Sequence, residues 1–339
     1  INMSRITVVI PCRNEELHIS TCIEHVLNST NLELHHLHVV VVDGGSTDQS
    51  KTIVEVITKK HSNVSLVSNI KGITPIAFNL GIEFDSSADY VQIIGARHFI
   101  STNYISTALT LLERDASIWC VGGRVVNDFQ NSISKVIAYV MSTSLGMGVG
   151  NFRTLNTSCF TDTVTSPMYP MWVFKKIGMF DSRLIRNQDD DFNYRVLKNG
   201  GKIFYEHSIF LKYRVRSSIK NTFKQFYQYG YWKVFVNKKY AAITTLRQLI
   251  PPLFTLYLLL LPVFYHMDHI LLLSGPLAAY VLLNFYYTAF SKLPIKQWHQ
   301  IVLMYWNIHI AYGWGYLHGI FRFLILRKSP EISQTSLSR

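Results

Sequence analysis

Residues 37–48 read LHVVVVDGGSTD, and their pattern indicates the fold class most clearly. Four consecutive valines are typical of a strand that is buried on both faces, as in a parallel sheet. The two glycines allow a tight turn, and the Ser, Thr and Asp that follow are residues that begin helices. The stretch therefore predicts a buried strand, a turn and a helix start, with the carboxylate of Asp43 at the end of the strand.

The same pattern is repeated on both sides of this stretch. The predicted strands are residues 5–10, 37–42, 64–68, 90–94 and 118–125, and the predicted helices are 15–28, 48–60, 74–84 and 102–114. This alternation predicts an α/β fold with a parallel sheet and right-handed crossovers. Ligands of such sheets bind beyond the carboxyl ends of the strands, so loops 11–15, 43–48 and 95–99 are the candidate site loops.

The apolar residues are concentrated in the last third of the chain. Of the 339 residues, 48% are hydrophobic and 16% are charged. Segments 249–265, 270–290 and 301–321 carry no formal charge, and each approaches the roughly 17–25 residues that span a bilayer. We expect two to three transmembrane or re-entrant helices. Three full spans would leave the basic residues after 321 outside, against the positive-inside rule, so the number stays open.

These patterns divide the chain into four parts. They are a cytosolic α/β domain (1–215), an amphipathic interfacial helix (216–245), a helical membrane region (246–326) and a tail (327–339). A helix packed into a protein core is the alternative for 216–245. No signal-peptide pattern precedes the first strand, so we expect a multi-pass protein of the inner (plasma) membrane with its α/β domain in the cytoplasm.

The net charge of +12 suits anionic lipids or anionic small ligands. A nucleic-acid partner is not expected, because the sequence has no basic helix and no RNP-like aromatic pattern. The basic balance therefore favours membrane lipid and a small anionic ligand as partners.

Polar side chains follow the first two predicted strands. Residues 11–15 read PCRNE and residues 43–48 read DGGSTD. Together they resemble the family 2 glycosyltransferases, where a Pro-x-x-Asn-Glu and an Asp-Gly-x-Ser-x-Asp segment hold the uridine part of a UDP-sugar. Residues 69–81 also resemble that family's nucleotide-side loop and helix. The resemblance implies a GT-A fold, Rossmann-like with a mostly parallel sheet, and a UDP-sugar donor. The nucleotide contacts that it implies are Pro11, Arg13, Asn14, Glu15, Asp43 and Lys71.

A cluster of carboxylates lies further along the chain, where residues 186–195 read RNQDDDFNYR. Adjacent carboxylates need a cation, a proton or full solvation, although a helix N-terminus also stabilises them. The run resembles the family's Glu-Asp-x-Asp/Glu…Arg segment, in which the first Asp is the general base. The resemblance implies that Asp189 is the base, that Asp191 supports it and that Arg195 is the partner of Asp191. Gln188 stands where Glu is commoner.

One segment departs from the family pattern. After the fourth strand the family carries Asp-x-Asp, or Asp-Ala-His in the branch that this chain resembles, which holds a divalent metal on the diphosphate. This chain has Gly95-Ala96-Arg97-His98 instead. Three interpretations stay open. Arg97 itself neutralises the diphosphate at Gly95; Mg²⁺ or Mn²⁺ is held by His98 with the later aspartates; or the chain binds a nucleotide without catalysis.

The resemblance extends from about Ile6 through the apolar segments. It is to the branch that contains succinoglycan-type bacterial exopolysaccharide glycosyltransferases. It implies inverting transfer of a sugar to a lipid-linked glycan acceptor in bacterial polysaccharide or glycoconjugate synthesis. Two alternatives are transfer to a polyprenyl phosphate itself and a catalytically silent, nucleotide-sugar-binding membrane scaffold. The Gln-x-x-Arg-Trp element of processive synthases lacks its Arg before Trp232, which favours addition of one sugar per encounter.

Overall fold

A computed structural model describes residues 3–266 and 270–330 of the chain. It divides into two compact units, one made of Ile1–Val126 with Leu155–Arg214 and the other of Asn127–Thr154 with Val215–Arg339. The predicted boundary at 215 coincides with the junction between Arg214 and Val215. Residues 127–154 were predicted to belong to the first domain, but they group with the C-terminal helices. The predicted tail lies outside the described residues from 331 onward.

The first half of unit 1 is the parallel α/β arrangement predicted from the sequence. Its strands pair in the order β3-β2-β1-β4, and every pairing among them is parallel. They are β1 (Arg5–Cys12), β2 (His36–Asp43), β3 (Val64–Ser68) and β4 (Tyr90–Ile93), and the helices that alternate with them are α1 (Ile19–Leu27), α2 (Ser50–Lys60) and α3 (Thr74–Phe84). The valines of β2 are fully buried, as expected for a strand covered on both faces.

The second half of the sheet is antiparallel, so the predicted mostly parallel sheet is in fact mixed. Strand β8 lies between β4 and β6 and runs antiparallel to both. The elements are β5 (His98–Ile100), α4 (Tyr104–Arg114), β6 (Ile118–Asp128), β7 (Cys159–Thr161), β8 (Thr165–Pro170), α7 (Met171–Ile177), α8 (Gln188–Lys198) and β9 (Lys202–Arg214). Only strands joined by a crossover helix need to run in the same direction, and β8 is preceded by a loop.

Unit 2 is helical. Its elements are α5 (Ser132–Val140), α6 (Ser144–Met147), α9 (Ile219–Tyr240), α10 (Ile250–His266), α11 (Ile270–Ala289) and α12 (Trp298–Gly319), with 3₁₀ turns at Leu246–Leu249 and Ile295–Gln297 and a π-helical end at Ile320–Ile325. The helix expected at the membrane surface is α9, and it packs along α12. A Cβ on Gly230 would lie 2.0 Å from the carbonyl oxygen of Tyr312, and one on Gly315 would lie 2.0 Å from that of Tyr227. Glycines therefore bring the two backbones together.

The described helices support fewer membrane spans than expected. One helical stretch, Leu246–Val263, is long and apolar enough to cross a membrane, and 17% of it is buried. The expectation of two to three spans, and with it the multi-pass anchor, is not supported within residues 3–266 and 270–330.

Candidate functional site

The turn after β2 is organised by the carboxylate of Asp43. This carboxylate accepts hydrogen bonds from the backbone N–H groups of Gly45, at 3.1 Å, and of Ser46, at 3.2 Å. Gly45 has φ +74°, a conformation that glycine adopts without strain. Asp43 is only 7% exposed. Its own turn therefore fixes this carboxylate at the edge of the sheet.

The loop after β1 is tied to the loop after β2, as the topology predicts. The N–H of Asn14 donates to Ser46 Oγ at 3.0 Å, and Asn14 Oδ1 accepts from the N–H of Thr47 at 2.8 Å. The N–H of Glu15 donates to Ser50 Oγ at 2.7 Å. Asn14 has a left-handed φ of 53°, which asparagine tolerates better than most residues. The two loops therefore form one hydrogen-bonded unit.

Cationic side chains lie at the rim of this unit. The guanidinium of Arg13 lies against the loop after β3, because a Cβ on Gly72 would come within 2.7 Å of Arg13 Nη1. Lys71 is exposed next to it. Asn69 holds that loop by donating from Nδ2 to the carbonyl of Ile73 at 3.0 Å, and it is 2% exposed. The predicted nucleotide loops therefore converge, with Pro11 in β1 opposite Val42.

The segment after β4 contributes an ion pair that the sequence did not reveal. Arg97 Nε donates to Glu15 Oε2 at 2.6 Å. The side chains of Arg97 and Glu15 are 24% and 11% exposed, so the pair is largely shielded from water. This pair joins the β4 segment to the loop after β1. The loops after β2 and β4 are thus cross-linked to the loop that carries Asn14 and Glu15, and Arg13 of that loop lies against the loop after β3.

Burial and nearby charges shift the pKa of two residues at this edge, Cys12 and His18. Burial raises the pKa of the Cys12 thiol to about 12, and the nearby carboxylates of Glu15 and Asp43 add to this effect. Burial lowers the pKa of His18, and the positive charge of Arg97 lowers it further. Cys12 is therefore a neutral thiol and no nucleophile at neutral pH.

The residues after β4 do not fit a divalent metal site. Gly95 offers no side chain, and the ring of His98 fills the space where one would be, with ring atoms 3.1 to 3.3 Å from an added Cβ. Among residues 3–266 and 270–330, no three His, Cys, Asp or Glu side chains are grouped so that they could hold a metal ion. Oxygen ligands are what Mg²⁺ requires, and this segment supplies none from its side chains.

Two residues that were not identified from the sequence, Ser166 and Tyr213, contact the ring of His98. His98 Nδ1 is hydrogen-bonded to Ser166 Oγ at 2.6 Å. The ring of His98 also meets that of Tyr213 edge-on, at a centroid distance of 5.3 Å. Ser166 lies 68 residues further along the chain. No local sequence pattern links them, because the contact depends on β8 lying beside β4.

The aspartate cluster lies in the first turn of α8, as predicted, and its three carboxylates differ in environment. Asp189 is exposed. Asp190 accepts a hydrogen bond from Asn187 Nδ2 at 2.8 Å. Asp191 is fully buried and pairs with Arg195 at 3.1 Å. An amide at Asp190 and a guanidinium at Asp191 thus relieve part of the repulsion expected of three adjacent carboxylates.

Arg195 braces this helix against the end of α7. Its Nη1 donates to the carbonyl oxygens of Ile177, at 2.6 Å, and Gly178, at 3.1 Å, and its Nη2 donates to that of Met179 at 2.8 Å. These bonds, with the ion pair to Asp191, satisfy most of the guanidinium. Asp191 and Arg195 therefore hold the first turn of α8, and Asp189 lies on the exposed side of that turn.

Comparisons with known proteins identify curated relatives of this chain. A curated relative from Methanococcus voltae, the dolichyl N-acetyl-alpha-D-glucosaminyl phosphate 3-beta-D-2,3-diacetamido-2,3-dideoxy-beta-D-glucuronosyltransferase, is 29% identical over 235 residues, which cover 67% of this chain and 72% of that protein. The succinoglycan biosynthesis protein ExoA of Rhizobium meliloti (strain 1021) is 27% identical over 246 residues, 72% of this chain and 73% of that protein.

The fold is also found among solved structures. The crystal structure of GalNAc-T7 with UDP, GalNAc and Mn²⁺ matches with a TM-score of 0.50 and 14% identity, over 64% of this chain and 45% of that chain. This likeness supports a GT-A-like α/β fold with a mixed sheet. The family model described as glycosyl transferase family 2 matches residues 7–178, which is just over half of the chain and includes the four loops described above. The chain therefore belongs to glycosyl transferase family 2 and is a glycosyltransferase that uses a nucleotide-sugar donor.

Proposed function

We propose that this enzyme transfers a sugar from a UDP-sugar to a hydroxyl group of a lipid-linked saccharide, with inversion at the anomeric carbon. The observation that carries the proposal is the arrangement at the N-terminus of α8. There an exposed carboxylate, Asp189, is held next to the ion pair between the buried Asp191 and Arg195. A carboxylate fixed in this way is suited to remove one proton from an acceptor hydroxyl.

The nucleotide is bound by the loops after β1, β2 and β3, of which the first two are joined by hydrogen bonds. The carboxylate of Asp43 is already oriented by its turn, and Asn14 and Glu15 lie beside it. The side chains of Arg13 and Lys71 add positive charge at the rim. Such a site matches a uridine with its ribose hydroxyls against the carboxylates and its diphosphate against the cations.

Arg97 stabilises the charge that develops on the departing diphosphate. Glu15 accepts a hydrogen bond from Arg97 Nε. Because the guanidinium is planar, this ion pair also fixes the direction of its remaining N–H groups. A preoriented cation of this kind lowers the barrier more than one that must reorganise during the reaction. The residues after β4 fit this role better than they fit a metal ion.

The lipid-linked acceptor is inferred from the C-terminal helices. On α11 the buried side chains include Asn284 and Thr288, each 1% exposed, whereas Leu282 and Phe285 are 68% and 58% exposed. A helix that buries polar groups and exposes leucine and phenylalanine is suited to lipid and not to water. The relative from Methanococcus voltae is named for a lipid-linked acceptor, a dolichyl phosphate sugar. We therefore place the acceptor at the membrane face.

The proposed base is tested by replacing Asp189 and its neighbour in turn. Asp189→Asn keeps the size of the side chain and removes its basicity, so turnover of the UDP-sugar should fall at least about 10²-fold, the lower range for general-base catalysis. Binding of UDP, measured by calorimetry in detergent, should stay within about twofold. Asp190→Asn is the matched control and should retain turnover. Retained turnover in Asp189→Asn would overturn the assignment.

A further inference from the structure

Ser166 adopts a backbone conformation that serine rarely takes. Its φ is +44°, in the left-handed region, and it is one of a few non-glycine residues of the described chain that do so. The residue lies in β8 and is 4% exposed. A side chain with a Cβ is strained at such a φ, and only glycine escapes this cost.

The surrounding residues hold this conformation in place from two sides. The carbonyl oxygen of Ser166 accepts hydrogen bonds from Gln92 Nε2, at 2.6 Å, and from the hydroxyl of Tyr104, at 3.1 Å. Gln92 lies in β4 and Tyr104 in α4, and both are fully buried. Strained residues persist where their surroundings over-determine them, and they cluster at functional sites.

The side chain of Ser166 meets the segment that follows β4. Its Oγ lies 2.6 Å from His98 Nδ1. The ring of His98 lies over Gly95, where the backbone has no side chain of its own. The Ser166 hydroxyl engages Nδ1, and the ring meets that of Tyr213 edge-on. Together these contacts fix the imidazole in one orientation. A glycine at 166 would supply the same backbone without strain but would leave Nδ1 without this hydroxyl.

We propose that Ser166 is a positioning residue that holds the His98 imidazole over Gly95, so that this ring contacts the diphosphate of the donor. The imidazole occupies the space of the side chain that Gly95 lacks, and it lies one residue after Arg97. The chemical group it recognises is a phosphate oxygen of a nucleoside diphosphate. This inference rests on the proposed function, because it places the donor diphosphate at the end of β4.

Ser166→Gly separates the positioning role from a structural one. The substitution removes the hydroxyl and relieves the strain, so the thermal midpoint of unfolding should hold or rise. We expect kcat to fall about tenfold or more, since a small misplacement of a group in the site is costly. Asn31→Gly is the matched control: Asn31 is exposed and also has a left-handed φ, of 60°. It should gain stability without any loss of kcat.

A double-mutant cycle identifies the partner through which Ser166 acts. In a His98→Ala background, Ser166→Gly should cause no further loss of kcat, because the ring that it positions is absent. If the two substitutions lower kcat by independent factors that multiply in the double mutant, the proposal is wrong. If Ser166→Gly lowers both the unfolding midpoint and kcat, the role of Ser166 is purely structural and the proposal is also wrong.

An observation without turnover keeps this inference separate from the proposed function. The ¹³Cε1–¹H NMR signal of His98, assigned with His98→Gln, should shift when UDP is added to the wild-type protein. In Ser166→Gly the signal should change position in the free protein, and the shift on adding UDP should be lost. If UDP binds and the His98 signal does not move, the proposal is wrong even for an active enzyme. If the signal moves as described in a protein that transfers no sugar, the positioning role stands and the transfer reaction does not.

Discussion

Arg97 Nε donates to Glu15 Oε2 at 2.6 Å, and this ion pair joins two loops whose residues are 82 positions apart in the chain. Through it, the loop that carries Asn14 and the segment that follows β4 form one site. Arg97 is the cation that the segment offers in place of a carboxylate at Gly95. In the proposed mechanism, the pair connects recognition of the nucleotide with stabilisation of its leaving diphosphate.

Replacing Arg97 should impair catalysis more than binding. Arg97→Ala removes the proposed charge stabilisation, and loss of one such oriented donor lowers kcat by about 10²–10³-fold. The measurement is steady-state release of UDP, with Arg114→Ala, an exposed arginine at the end of α4, as the control. An Arg97→Ala enzyme with normal kcat, alongside a wild type that EDTA inactivates, would contradict this role for Arg97.

The buried ion pair of α8 should dominate local stability. Asp191→Asn leaves the guanidinium of Arg195 without its buried partner, which costs about 3–5 kcal/mol of unfolding free energy. The pair between Arg183 and Asp181 is the control, because Arg183 is 66% exposed. Arg183→Gln should cost no more than about 1 kcal/mol. Denaturant unfolding of both variants measures the difference, and equal losses would show that the carbonyls of Ile177, Gly178 and Met179 satisfy Arg195 on their own.

The contact between α9 and α12 should not tolerate a methyl group. A Cβ on Gly230 would lie 2.0 Å from a carbonyl oxygen, so Gly230→Ala must push the helices apart and should cost about 1–3 kcal/mol. Gly275 in α11 has nothing within 4 Å of an added Cβ. Gly275→Ala should therefore be neutral, or stabilising by up to about 1 kcal/mol through helix propensity. Thermal unfolding in detergent distinguishes the two, and a stable Gly230→Ala protein would refute this close packing.

His18 should make unit 1 less stable as the pH falls below neutrality. Burial, with the charge of Arg97, lowers the pKa of His18 below its usual value of 6.5 in the folded state. The unfolded chain therefore binds this proton more readily, and stability is lost as the pH falls from about 6.5 through the folded pKa. His18→Gln should lose less stability than the wild type between pH 7.5 and pH 5.5. Parallel unfolding curves for the two proteins would show that His18 does not contribute.

The parallel half of the fold and its loops could be predicted from the sequence. The valines of β2 and the turn residues after Asp43 are local signals, and the topology of crossovers then brings the loops after β1 and β2 together. The first turn of α8 was likewise marked by its three aspartates. In these places a few neighbouring residues determine the structure.

The remaining features depend on contacts between distant segments. The insertion of β8 beside β4 has no local pattern, so neither the mixed sheet nor the contact of Ser166 with His98 could be foreseen. The same holds for α9, whose apolar face suits a membrane surface and a partner helix equally well. Only the glycines opposite Tyr227 and Tyr312 show that the partner is α12.

The most direct test of the central claim is UDP release by the purified full chain in detergent. A panel of UDP-sugars would be combined with a polyprenyl-phosphate-linked saccharide, with Mg²⁺, Mn²⁺ or EDTA, and with bare polyprenyl phosphate as the comparison acceptor. We predict that one UDP-sugar is consumed with the lipid-linked saccharide, that UDP release is lost in Asp189→Asn, and that it continues in EDTA. UDP binding without release for every donor and acceptor would contradict the account, and would favour a nucleotide-sugar-binding scaffold.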